Sequence, residues 1–167
     1  GSFFPHPRNP AGTLPIEELR KTYDTLISSG LLTGRNYLLF KGRLTSDFFK
    51  RRWERARGDF ASIEGMNLAD AHRIKQAVKI PVLCTGGFQT ATVIEQALTD
   101  QLCDGVTIAR PLIANNDLVK VFAAGAARAE KPCTYCNKCL VNAVENPLGC
   151  YEESRFTSRE STCRARA

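Results

Sequence analysis

Ile80-Pro-Val-Leu-Cys-Thr-Gly-Gly87 and Asp104-Gly-Val-Thr-Ile-Ala-Arg110 are the two stretches on which the fold turns. Each is a short, nearly continuous apolar run, and the first ends in paired glycines that break a strand. Between them, Gln89 to Gln101 has helical spacing, with Val93, Ile94 and Ala97 on one face. Upstream, Asn67 stands as the cap of a helix with apolar positions Leu68, Ala71, Ile74, Ala77 and Val78. Downstream, Asn116 caps a helix through Leu118, Val119, Val121 and Phe122. Short buried strands alternating with helices predict a parallel sheet and an α/β fold.

Outside this region the pattern is looser. Residues 1–13 read as a loop rich in proline and glycine. Thr13 then caps a helix with Pro15 in its first turn, Leu19, Tyr23, Leu26 and Ile27 along one face, and Gly30 at its end. Asn36 to Phe40 is a short apolar run of undecided state. Thr45 or Ser46 opens a second helix to about Arg57, with Phe49, Trp53 and Ala56 on a shared face. Thr157 to Ala167 is polar, Arg-rich and without apolar periodicity.

The 167 residues suffice for one domain with a real core, and 43% apolar with 24% charged residues lies near globular averages. No run is long enough to span a membrane, and no secretory leader is visible. The chain opens Gly-Ser and its single Met is Met66, so a piece of a larger protein is expected. Twenty-three basic against seventeen acidic residues give +6, much of it between Lys41 and Asp59. That stretch, with Phe48, Phe49 and Trp53 among its arginines, suits nucleic acid or a lipid interface, or the solvated face of an ordinary packed helix. No nucleic-acid signature accompanies it, and no nucleic-acid partner is expected. Seven cysteines, four of them (Cys133, Cys136, Cys139 and Cys150) crowded together, point to a metal or redox cluster in a cytoplasmic protein rather than a disulfide scaffold.

In parallel α/β folds ligands sit at the carboxyl ends of the strands. Thr85-Gly86-Gly87 follows the first strand, where glycines let backbone N–H groups approach a phosphate and the next helix presents its positive end. Ala109-Arg110 follows the second and brings a guanidinium that chelates phosphate. The alternative stays open that the glycines only make a tight turn and Arg110 only a surface ion pair.

IPVLCTGGF followed by DGVTIARPLIANNDLV resembles the last two barrel strands of the Old Yellow Enzyme family of FMN oxidoreductases. PCTYCNKCLVNAVENPLGCYEESRF is similar to the Cys cluster that follows the barrel in the branch containing dienoyl-CoA reductase and trimethylamine dehydrogenase. The opening SFFPHPRNPAG is similar to that branch's loop after strand six, and the main resemblance covers about residues 67–156. It implies a (βα)8 TIM barrel that passes electrons from NAD(P)H through FMN to an electron-poor alkene or another small-molecule acceptor. By position, Gly86, Gly87, Ala109 and Arg110 would hold the FMN phosphate. His6 would be the catalytic proton donor, although its spacing to Arg8 is one residue shorter than in that relative.

Two departures follow from the same resemblance. A whole barrel takes about 250 residues, and this chain shows strands seven and eight only. The resemblance therefore implies a C-terminal barrel portion over residues 1–130, inactive alone, with a Cys-rich extension and tail over 131–167. Self-association or a partner chain is expected to complete the barrel. The cysteine spacing is C-x2-C-x2-C-x10-C, and Ala143 stands about where the branch has its fourth ligand, so Cys150 would have to substitute. A [4Fe–4S] cluster, a zinc ion and a set of free thiols all stay open. A metal-binding module with the βα units as scaffold is the alternative function.

Overall fold

The computed structural model describes residues 12–19, 42–57, 63–143 and 146–156. They fall into two compact units, dividing at Cys133–Thr134. Among the described residues, the first unit is 63–133 and the second gathers 12–19 and 42–57 with the stretch after Cys133. His6, the run at 36–40, most of the first expected helix and the tail lie outside the described residues.

The second unit carries helix α1, Arg43–Arg57. It begins ahead of the expected Thr45 or Ser46: the Ser46 N–H already donates to the Gly42 carbonyl, and the Thr45 hydroxyl donates to that same oxygen at 2.9 Å. Trp53 is buried, and its Nε1–H donates to the Gly12 carbonyl at 2.7 Å. The segment at 12–13 is stitched further by the Thr13 N–H to the Tyr135 carbonyl at 2.8 Å and by the Asn137 amide to the Thr13 carbonyl at 2.9 Å. Residues 16–19 form one helical turn after Pro15, with Ile16 and Leu19 buried.

The first unit meets the α/β expectation. Helix α2 (Leu68–Ala77) leads to strand β1 (Leu83–Thr85), helix α3 (Ala91–Thr99) to strand β2 (Gly105–Thr107). Helices α4 (Arg110–Ala114) and α5 (Leu118–Ala123) follow, the latter capped at Asp117 rather than Asn116. In the second unit, α6 (Lys138–Asn142) completes the described helices, with a 3-10 turn at Glu153–Arg155. The strands pair in parallel, Leu83 with Gly105, Cys84 with Val106 and Thr85 with Thr107. Asp104 extends the pairing: its N–H donates to the Val82 carbonyl, and its carboxylate accepts the Val82 N–H at 2.7 Å.

Among the described residues, the strands are covered on one face. Cys84, only 1% exposed, joins Ala71, Phe88, Ala97 and Cys103 in the core, with Leu68, Val82, Val93, Ile94, Val106 and Ile108 packed around it. Because side chains alternate along a strand, Leu83 and Thr85 point the other way, and Leu83 is 59% exposed. Asn67 also departs from expectation: its side chain makes no cap and instead donates to the Thr85 carbonyl at 2.8 Å, tying the start of α2 to the end of β1. Among the described residues no helix is long and apolar enough to cross a membrane.

Candidate functional site

The parallel register brings the carboxyl ends of β1 and β2 side by side. Thr85 and Thr107 are the last paired residues, and their hydroxyls share a hydrogen bond at 2.5 Å. Gly86 and Gly87 continue from one strand, and Ile108, Ala109 and Arg110 from the other. The four residues expected at a phosphate thus leave the same end of one two-stranded sheet.

Both glycines occupy positive φ, +133° at Gly86 and +75° at Gly87, where a side chain is strained. At Gly87 space also decides: a Cβ there would lie 2.1 Å from the Ile63 carbonyl oxygen. The turn therefore packs directly on the 63–64 backbone. Across from it, Ala109 caps α4, its carbonyl accepting the Leu112 and Ile113 N–H groups at 2.9 and 3.1 Å, and Arg110 is half-buried at the first helical position.

One expectation about this end is corrected. The sequence predicts that the positive end of the helix after β1 faces a ligand phosphate, but an internal anion meets it. Glu64 Oε1 accepts the N–H groups of Gln89 (2.7 Å) and Thr90 (2.5 Å), and Oε2 accepts the Thr90 hydroxyl at 2.9 Å. Thr90 caps α3 by position but makes no side-chain cap of its own. A carboxylate from 25 residues upstream satisfies donors that the helix leaves open. Sequence reasoning missed Glu64 because no local spacing links it to Thr90. Its position directly after Ile63, which Gly87 touches, becomes informative only in three dimensions.

The residues present fit an FMN phosphate through their donor chemistry. Two strand-end glycines bring backbone without side-chain bulk to this end, and a guanidinium leaves the neighbouring strand. His6 lies outside the described residues.

The cysteines are arranged differently. Cys133 closes the first unit, while Cys136, Cys139 and Cys150 belong to the second. Cys136 lies between Tyr135 and Asn137, both left-handed at φ +53° and +61°. Burial pushes the Cys136 thiol up, against the Lys138 backbone N–H, which favours the thiolate. Cys139 and Cys150 are buried, and Cys150 Sγ accepts a hydrogen bond from Arg155 Nη1 at 2.9 Å. Burial opposes the charge of Lys138, but Glu152 and Glu18, at 3.5 and 3.6 Å, hold its ammonium above the usual lysine value. Among the described residues no three His, Cys, Asp or Glu side chains are gathered to hold a metal ion.

The model of the family described as dihydrouridine synthase (Dus) matches residues 51–162, about two-thirds of the chain. A bilirubin reductase of Mediterraneibacter gnavus is 38% identical over 74 residues, covering 44% of this chain and 12% of that protein. A 4,4'-dithiodibutanoate disulfide reductase of Rhodococcus erythropolis is 35% identical over 77 residues, 46% of this chain and 19% of the relative. A metal reductase of Desulforamulus reducens is 33% identical over 82 residues, 48% of this chain and 12% of the relative. The matched segments thus span less than a fifth of each relative's length. No solved structure matches significantly. The assignment to the Old Yellow Enzyme family is corrected by the family match, which is to the related dihydrouridine synthase family.

Proposed function

Because the chain belongs to the dihydrouridine synthase family, a family of TIM-barrel flavin enzymes, we propose that it supplies the phosphate-binding end of an FMN-dependent oxidoreductase barrel. In this reading β1 and β2 are the seventh and eighth barrel strands. The backbone N–H groups of Gly86, Gly87 and Ala109 and the guanidinium of Arg110 bind the FMN phosphate. Bound FMN supplies hydride chemistry between NAD(P)H and an acceptor. This chain's own part is to anchor and orient: the glycine turn admits the phosphate closely, and Arg110 neutralises its charge.

The observation that carries the proposal is the register of Thr85 against Thr107, which sets both expected phosphate-binding turns at one sheet end. The exposed face carrying Leu83, Thr85 and Thr107 suits coverage by further barrel strands, from elsewhere in the protein or from a partner copy. A small-molecule acceptor is favoured, since the three relatives are named for reducing bilirubin, a disulfide and metal. Uridine reduction is the second reading, favoured by the family description alone.

The test is anaerobic. The chain is incubated with FMN, freed of unbound flavin, and its visible spectrum is recorded before and after NADH or NADPH with an alkene, a disulfide, ferric citrate or a uridine oligonucleotide. The expected result is a retained two-band flavin spectrum with little turnover from the chain alone. A colourless chain contradicts the phosphate assignment. Turnover comparable to a whole barrel contradicts the partial-barrel reading. Oxidation of the reduced flavin by the uridine oligonucleotide alone would replace the small-molecule acceptor with uridine.

A further inference from the structure

Resting on the flavin-phosphate reading, we infer that Glu64 is a positioning residue for that site. It is a built-in anion that holds the turn from Gly86 to Thr90 in shape and closes the start of α3 to any ligand phosphate. Two contacts from adjacent residues grip the same turn. The Ile63 carbonyl occupies the space that a Gly87 Cβ would need, 2.1 Å from it, and the Glu64 carboxylate takes three hydrogen bonds from Gln89 and Thr90. Both carboxylate oxygens are engaged, so the turn is held at its beginning by packing and at its end by charge-assisted hydrogen bonds.

The electrostatic consequence concerns where the phosphate goes. A helix start attracts one anion within its first turn, and at α3 that place belongs to Glu64. A phosphate there would face a carboxylate of like charge. The anion is therefore directed to the other side of the strand ends, towards Gly86, Gly87, Ala109 and Arg110. Glu64 touches neither substrate nor flavin in this arrangement; it acts through the turn.

The experiment uses the full chain and the variants Glu64→Ala and Glu64→Gln, in two measurements. The first is amide hydrogen exchange followed in peptides covering 86–90, with a peptide covering 104–108 as reference. Glu64→Ala is expected to speed exchange at 89–90 by about tenfold or more, on the strength of a charge-assisted hydrogen bond, while 104–108 stays protected. Glu64→Gln, which keeps an acceptor for the two N–H groups, is expected to lie between, and it gives the reading should the alanine variant lose protection at 104–108 as well. Unchanged exchange at 89–90 in both variants overturns the inference.

The second measurement is the affinity for FMN relative to riboflavin, which lacks the phosphate. Wild type is expected to prefer FMN, and Glu64→Ala to lose most of that preference while its riboflavin affinity holds. A preference preserved in Glu64→Ala and still lost when Arg110→Ala is added overturns the positioning role and leaves the phosphate assignment standing. Absence of any preference in wild type overturns the phosphate assignment, and the role of Glu64 in it.

Discussion

Replacing Gly87 by alanine, set against the same replacement at Gly125, isolates the contact on which the glycine turn depends. Both glycines sit at left-handed φ, +75° and +87°, so alanine meets similar backbone strain at each. They differ in surroundings: a Cβ at Gly125 would meet nothing within 4 Å, whereas one at Gly87 would lie 2.1 Å from Ile63 O, 2.7 Å from Ile63 C and 2.9 Å from Ile63 Cγ2. The left-handed conformation costs an alanine about 1–2 kcal/mol, partly offset by a stiffer unfolded chain, so Gly125→Ala is expected to destabilise by about 1 kcal/mol. At Gly87 the obstructing atoms are backbone, and the turn or the 63–64 segment must shift by about an ångström. Overpacking of that kind adds about 1–3 kcal/mol, which puts Gly87→Ala at about 2–4 kcal/mol. Urea unfolding followed by far-UV circular dichroism, with a common slope for both variants, measures the difference. A gap of at least about 1 kcal/mol is expected. Equal destabilisation of the two variants would refute the claim that the turn rests on Ile63.

Three further outcomes are expected. Asp104 is held below the usual carboxylate range by the Lys75 ammonium at 2.8 Å and the Val82 N–H, so its contribution is present above its ordinary value of 3.8 and fades as pH falls through the lowered one. Thermal melts between pH 6 and 2 should show a larger acid loss for wild type than for Asp104→Asn, and parallel curves would refute the link. Burial, then the neighbouring Cys103, pushes the Cys84 thiol up from 9.0 to about 11, so the protonated thiol stabilises the fold fully below pH 9 and that contribution is lost as pH rises towards 11. Mass-resolved labelling with a thiol reagent at pH 8 should leave Cys84 and Cys103 unmodified until urea unfolds the chain; native labelling of either would contradict the core placement. Trp53, the single tryptophan, should emit at short wavelength, and Trp53→Phe should cost about 1–2 kcal/mol by stranding the Gly12 carbonyl. An unchanged urea midpoint would contradict that bond.

What the sequence made legible follows from how local each signal is. The runs around Leu83–Thr85 and Gly105–Thr107 stand out because consecutive apolar residues between helical patterns have few other uses, and the glycine pair marks where the first must end. The Trp53 side of α1 was legible from helical spacing, since Trp53 is indeed buried and Phe49 half-buried. Cys84 was legible as a small core residue in mid-strand, but nothing in the continuous apolar run marked its neighbour Leu83 as the one left on the surface. Asn67 resembled a cap because caps are read from neighbours in sequence, while its actual partner is the Thr85 carbonyl 18 residues away. Glu64 escaped for the same reason. The cysteine spacing was visible, but no spacing rule foresees left-handed Tyr135 and Asn137 on either side of Cys136, or an arginine donating to Cys150. The family resemblance rested on short strand-end motifs, whereas the family match rests on residues 51–162 as a whole and points to a related family.

The most direct test of the central claim is a titration of the chain with FMN and with riboflavin, followed by flavin fluorescence, for wild type and Arg110→Ala. If the strand ends hold the phosphate, wild type binds FMN at least about tenfold more tightly than riboflavin, and Arg110→Ala removes most of that advantage without weakening riboflavin binding, as expected for loss of a charge-assisted contact. Equal affinity for the two flavins in wild type, or a preference for FMN that survives in Arg110→Ala, would contradict it.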